Sequence, residues 1–147
     1  MSVYLLDVNV LVALMWTNHE QHDAAASWYR THQRNGWATC PLTEAGFVRI
    51  SSNPRIFPHA PVPAKAMELL RVNTTVTAHR FWKDDIPLAQ AIAPFGMRFN
   101  GHQQTTDAYL FGLAIYKRGI LATFDAGLTG LVEENSVHLK SLAILKL

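Results

Sequence analysis

The stretch Val3-Tyr4-Leu5-Leu6-Asp7-Val8-Asn9-Val10-Leu11 decides the fold. Its first four residues are apolar without alternation, the pattern of a short strand buried on both faces, which belongs to parallel sheets covered by helices on each side. Asp7 ends the run, and Val10 to Trp16 then reads as a short helix. The same pattern returns late in the chain, where Ile120-Leu121-Ala122-Thr123-Phe124 runs into Asp125.

Between these two strands the chain alternates. A helix is predicted from about Gln21 to Gln33, with Ala25, Trp28, Tyr29 and His32 on one side and Asn35-Gly36 as its stop signal. Trp37-Ala38-Thr39 suits a strand. Pro41 opens a helix carrying Glu44, Phe47, Val48 and Ile50, since proline costs least in a first turn. Ser51 to Pro63 holds four of the seven prolines and reads as an irregular surface connection. A helix over Ala64–Val72 and a strand over Val76–Trp82 follow. Asp84-Asp85 is expected to cap a short helix beginning near Pro87. A longer helix is expected from Thr106 to Lys117, ended by Gly119, with tail strands around Ser136–Leu139 and Leu142–Leu145. Alternating strands and helices imply an α/β fold, a three-layer α/β/α sandwich around a mainly parallel sheet, as one domain over residues 1–147.

Composition narrows the function classes. Hydrophobic residues make up 49% of the chain and charged residues 16%, against roughly 25% charged in an average domain. Acidic groups in apolar settings are therefore the ones to explain. The formal net charge of +2 permits a polyanionic partner without demanding one, because Lys and Arg form no run. Cys40 is the single cysteine, which excludes an internal disulfide and a cysteine-rich zinc site and fits a cytoplasmic protein. The apolar N-terminus carries Asp7 and no basic leader, and no uncharged apolar stretch reaches the roughly 18 residues of a membrane span.

Four carboxylates stand in apolar places. Asp7 and Asp125 end apolar strands, and parallel neighbours would bring both to one edge of the sheet. Asp107 opens the apolar helix of Tyr109, Leu110, Phe111, Leu113 and Ile115, and Glu44 shares a helix face with Phe47 and Val48. Two unit charges about 4 Å apart repel by roughly 4 kcal/mol at an effective dielectric near 20, so such a cluster calls for a cation. All-oxygen ligation favours magnesium, with manganese as a substitute, over zinc. A carboxylate-held dication with open positions is the apparatus of phosphodiester hydrolysis. Each residue also has an ordinary structural role open to it: Asp7 and Asp125 as helix caps, Asp107 on a helix dipole, Glu44 half-exposed on its helix. His19 and His22, three apart, have metal-compatible spacing but no third ligand nearby; His102 is close enough to Asp107 to contact substrate.

At these residues the chain resembles PIN-domain proteins, specifically the VapC ribonuclease toxins and a subfamily found in mycobacteria. Leu5-Leu6-Asp7-Val8-Asn9-Val10-Leu11 is similar to the first acidic motif, Thr43-Glu44-Ala45-Gly46-Phe47-Val48-Arg49 to the second, the segment from Gly101 through Asp107 to Leu110 to the third, and Ala122-Thr123-Phe124-Asp125 to the fourth. The resemblance covers nearly the whole chain in order. It implies a magnesium-dependent endoribonuclease that leaves 5′-phosphate and 3′-hydroxyl ends, with Asp7, Glu44, Asp107 and Asp125 as metal ligands. It further implies a homodimer, a cognate VapB-type antitoxin, and contact with DNA only through that antitoxin. Asn9 and Thr123, each two residues from an aspartate, are placed to hydrogen-bond a ligand carboxylate or its water. Arg49, Arg80 and Arg98 are candidates for RNA phosphates.

Two rival functions follow from the same residues. A haloacid-dehalogenase-like phosphatase also begins with a strand ending in aspartate, but wants a second aspartate where Asn9 stands. A non-catalytic RNA-binding or regulatory module of the same fold would have no use for a full acidic set.

Overall fold

The computed structural model describes residues 2–147. Its core is a five-stranded, wholly parallel sheet. The strands are β1 (Tyr4–Leu6), β2 (Trp37–Thr39), β3 (His79–Phe81), β4 (Ile120–Thr123) and β5 (Leu142–Ile144), in spatial order β3-β2-β1-β4-β5. The chain thus builds outward from β1 to β3, then returns to the other side of β1 for β4. That reversal opens a crevice beyond the carboxyl ends of β1 and β4, the place where ligands bind in open α/β sheets.

Six helices cover the sheet: α1 (Val8–Met15), α2 (His22–His32), α3 (Pro41–Ser51), α4 (Pro63–Asn73), α5 (Leu88–Ile92) and α6 (Thr105–Tyr116). The strands alternate between two cores. Leu6 and Ala122 join Val10, Leu11, Phe47 and Leu70 under α1, α3 and α4, whereas Leu5 and Leu121 join Leu110, Phe111 and Leu113 under α6. Each fully buried Leu or Phe contributes roughly 1.5–3 kcal/mol, so the unalternating apolar strands are what hold both helical layers to one sheet. Close approach is set by glycine. A Cβ at Gly112 would collide with the backbone of Ala91, so the close approach of α5 to α6 requires glycine there.

The expected three-layer α/β/α architecture is the observed one, with corrections at its margins. The strand expected over Val76–Trp82 is confined to His79–Phe81. Ser136–Leu139 is not a strand: Ser136 Oγ accepts from His138 N–H, starting the 3-10 turn Val137–Ser141. Asp84 and Asp85 do not cap α5, whose N-cap is Pro87; Asp85 instead pairs with Lys117 at 3.0 Å. No helix among the described residues is long and apolar enough to cross a membrane.

Candidate metal centre

Asp7 follows β1 directly and is 5% exposed. Its backbone is extended, so it caps α1: Oδ1 accepts from Val8 N–H at 2.7 Å. Oδ2 accepts from the Thr123 hydroxyl at 2.8 Å. Capping and site-building are therefore one arrangement, because the cap fixes the carboxylate at the strand's end.

Thr123 is the hub. A hydroxyl has one proton and two lone pairs. The proton goes to Asp7, and the oxygen accepts from Asn9 Nδ2 at 3.1 Å and from Asp125 N–H at 3.1 Å. Asn9 Oδ1 accepts from Phe124 N–H at 3.2 Å. These bonds tie the end of β1 to the end of β4 and seat Asp125, whose Oδ1 accepts from Gly127 N–H at 2.9 Å. Thr123 thus reaches a candidate ligand carboxylate directly, and Asn9 reaches it through Thr123.

Asp107 enters from the first turn of α6, half-buried. Asp7, Asn9, Asp107 and Asp125 line a single cleft at the topological reversal. The electrostatics are unfavourable for an empty acidic cleft. Burial, followed by the charges of Asp7 and Asp125, pushes Asp107 up to about 6. Burial also raises Asp7, with Asp125 adding to it and the Thr123 and Val8 hydrogen bonds opposing it. All-oxygen, multiply anionic and mutually repelling, this donor set fits a hard dication. Among the described residues, however, no three His, Cys, Asp or Glu side chains converge closely enough to grip an ion in the present conformation.

Glu44 is not brought to that cleft. Its Oε2 accepts from the Thr39 hydroxyl at 2.6 Å, and Glu44 lines a separate groove between α3 and α4. Because Thr39 spends its proton on Glu44, His79 Nε2, 2.8 Å from the same hydroxyl, must be the donor there. The Thr39 hydroxyl, backed by the His79 imidazole, gives one Glu44 oxygen a partner on this otherwise apolar face. Burial holds His79 below the ordinary imidazole value, Arg80 adding to this and Glu44 opposing it.

None of the three arginines lines the acidic cleft. Arg49 lies in the α3–α4 groove with Glu44, Arg80 donates to the Thr77 and His79 carbonyls on the outer strand, and Arg98 lines a cleft with Phe95 and Val132. His102 is exposed. His19 and His22 do not share a ligand position, since His19 Nδ1 accepts from Gln21 N–H and His22 Nδ1 meets the Ala13 carbonyl. His19 nevertheless lines the acidic cleft, together with Gln21, Ile50, Ile56 and Phe57. Sequence reasoning singled out His19 only for its spacing from His22, and gave Gln21, Ile56 and Phe57 no role. Ile56 and Phe57 lie in the proline-rich connection, where no periodicity could mark them.

Comparison with known proteins identifies the family. The PIN-domain family matches residues 4–132. Ribonuclease VapC39 of Mycobacterium tuberculosis is 46% identical over 134 residues, covering 88% of this chain and 96% of the relative. Ribonuclease VapC38 of the same species is 46% identical over 131 residues, covering 88% and 90%. Among solved structures, VapBC2 of Rickettsia felis, bound to a DNA fragment from its promoter, aligns with a TM-score of 0.64 at 12% identity over 98% of this chain and 99% of that one. Mycobacterium tuberculosis VapC20, a sarcin-ricin-loop-cleaving toxin, aligns at a TM-score of 0.59 and 14% identity, covering 79% and 84%. The chain belongs to the PIN-domain family, among its VapC-type ribonucleases. Ribonucleases of this family are divalent-metal dependent as a class. That membership sets aside the haloacid-dehalogenase-like alternative.

Proposed function

We propose that this protein is the toxin of a toxin–antitoxin pair, a cytoplasmic, magnesium-dependent endoribonuclease formed by one domain over residues 1–147. The observation that carries the reading is that Asp7, Asp107 and Asp125 line one cleft at the sheet's reversal, with Asp7 and Asp107 both raised by burial and by neighbouring carboxylates.

In this reading Asp7, Asp107 and Asp125 would hold the cation, which would relieve their mutual repulsion. A dication held by these carboxylates would supply water activation and charge neutralisation for phosphodiester hydrolysis. Thr123 holds Asp7 and Asp125 in register, and Asn9 holds Thr123. Glu44 stands outside the set as the chain is folded here, its Oε2 held by the Thr39 hydroxyl. A VapB-type antitoxin, as in the Rickettsia felis complex, is the proposed inhibitor, with DNA reached only through it and a homodimer as the assembly. Arg49, Arg80 and Arg98, exposed and away from the cleft, are left to contact RNA phosphates at a distance from the cut.

Cleavage of total cellular RNA by the antitoxin-free chain tests this, with magnesium, with excess chelator, and with folded Asp7→Asn and Asp107→Asn variants. Discrete cuts that need both the metal and the acids are expected. Undiminished cutting in chelator or in both variants would overturn the site.

A further inference from the structure

The cleft that holds the aspartates has a second part of different chemistry. Ile50, Ile56 and Phe57 line it as an apolar wall, with Ile56 48% exposed and Phe57 half-buried. The His19 ring meets Phe57 at an angle of 62°, with centroids 6.2 Å apart. Because His19 Nδ1 accepts from Gln21 N–H at 3.0 Å, the ring proton of its neutral form sits on Nε2. That N–H finds no protein acceptor among the described residues.

A bare ion has no use for such a wall. The cleft encloses about 350 Å³, at the small end of the roughly 300–1,000 Å³ of ligand sites, which is room for more than an ion and its waters. No arginine or lysine lines it, so attraction to phosphate charge is not what the wall offers. Single-stranded RNA is recognised by stacking unpaired bases on aromatic and apolar side chains and by hydrogen bonds to base edges.

We infer that the wall of Ile50, Ile56 and Phe57 seats the nucleobase beside the cleaved phosphate, with His19 Nε2–H as the donor that reads its edge. The inference rests on the ribonuclease reading and deepens it: the aspartates act on the backbone, and the wall selects which nucleotide is presented. It also gives the proline-rich connection a role, since that segment places Ile56 and Phe57 against the residues that flank α1.

Ribose 5-phosphate and the four 5′-mononucleotides, titrated into the full chain with magnesium, separate the two parts of the cleft. At least one mononucleotide is expected to bind on the order of tenfold more tightly than ribose 5-phosphate, as one stacked base supplies. Phe57→Leu keeps apolar bulk but removes the ring, and should erase most of that margin while sparing ribose 5-phosphate. His19→Ala should reorder the four nucleotides, and sequencing of RNA ends should show a flattened preference beside the cut in both variants. Thermal melting checks that each variant is folded; if Phe57→Leu is not, His19→Ala still decides. Equal binding of nucleotide and ribose 5-phosphate to the wild type, or an unchanged preference in the folded variants, overturns the inference. Ribose 5-phosphate binding that ignores both magnesium and Asp7→Asn is a different failure, that of the metal site itself.

Discussion

The carboxyl edge of the sheet carries two acidic corners. At the β1–β4 corner, Asp7 and Asp107 are raised by burial and by neighbouring carboxylates, and Asp107 takes no hydrogen bond from the protein among the described residues. At the β2–β3 corner, Glu44 is held by the Thr39 hydroxyl, itself fully buried and hydrogen-bonded to His79. One Glu44 oxygen thus has a partner within the protein, whereas Asp107 and the carboxylates that repel it leave their charge for something else to neutralise. The difference teaches that an acidic residue in an apolar stretch is not evidence of a metal until its hydrogen-bond partners are known.

Asp7→Asn should break the first corner most completely. It keeps the size but removes the charge and leaves one accepting oxygen for the Val8 N–H and the Thr123 hydroxyl, so Mn2+ affinity and RNA cleavage are both expected to fall by more than the roughly 10–100-fold typical of groups that only support a ligand. Thr123→Val tests that supporting level directly. Loss of the bridging hydroxyl should cost on the order of 10–100-fold in metal affinity or activity, with a lower melting temperature and recovery in Thr123→Ser. Glu44→Gln sharpens the comparison. A loss below about tenfold, smaller than for a supporting residue, is expected in Mn2+ affinity; a loss equal to that of Asp7→Asn would show that Glu44 leaves Thr39 when the ion binds.

The smallest effect is on stability. Asp107 holds its proton up to about pH 6 in the fold, whereas its ordinary value is 3.8. Between those values the unfolded chain releases a proton that the folded chain keeps, so rising pH favours unfolding. Through Asp107, metal-free protein should lose melting temperature as pH rises from about 4 to about 6, while His79, held neutral by burial, works the other way. Asp107→Asn should flatten that slope and melt slightly higher at neutral pH. Magnesium should restore the wild type, and a wild type that gains on Asp107→Asn as pH rises over this window would contradict the electrostatic account.

Much of the fold was legible in particular runs of residues. Leu5-Leu6 and Leu121-Ala122 show no alternation because each neighbour feeds a different core, and that pattern points to a covered parallel strand. Ser136–Leu139 misled because its apolar residues are too few to distinguish a strand from a 3-10 turn, and the deciding bond is a serine side chain to a backbone two residues on. Asp84-Asp85 misled because an adjacent lysine in space, Lys117, is 32 residues away in sequence.

What the residues determined by themselves was local: apolar runs, their stops, and the acids that ended them. From these alone Asp7 and Asp125 had to meet if their strands were parallel neighbours. Which acids share a cleft was decided by tertiary structure, because the strand order brings β4 beside β1 and α6 over the same edge. Only that order excludes Glu44 and admits His19, Ile56 and Phe57, since contact across a sheet edge depends on where separate segments come to lie and not on their spacing along the chain.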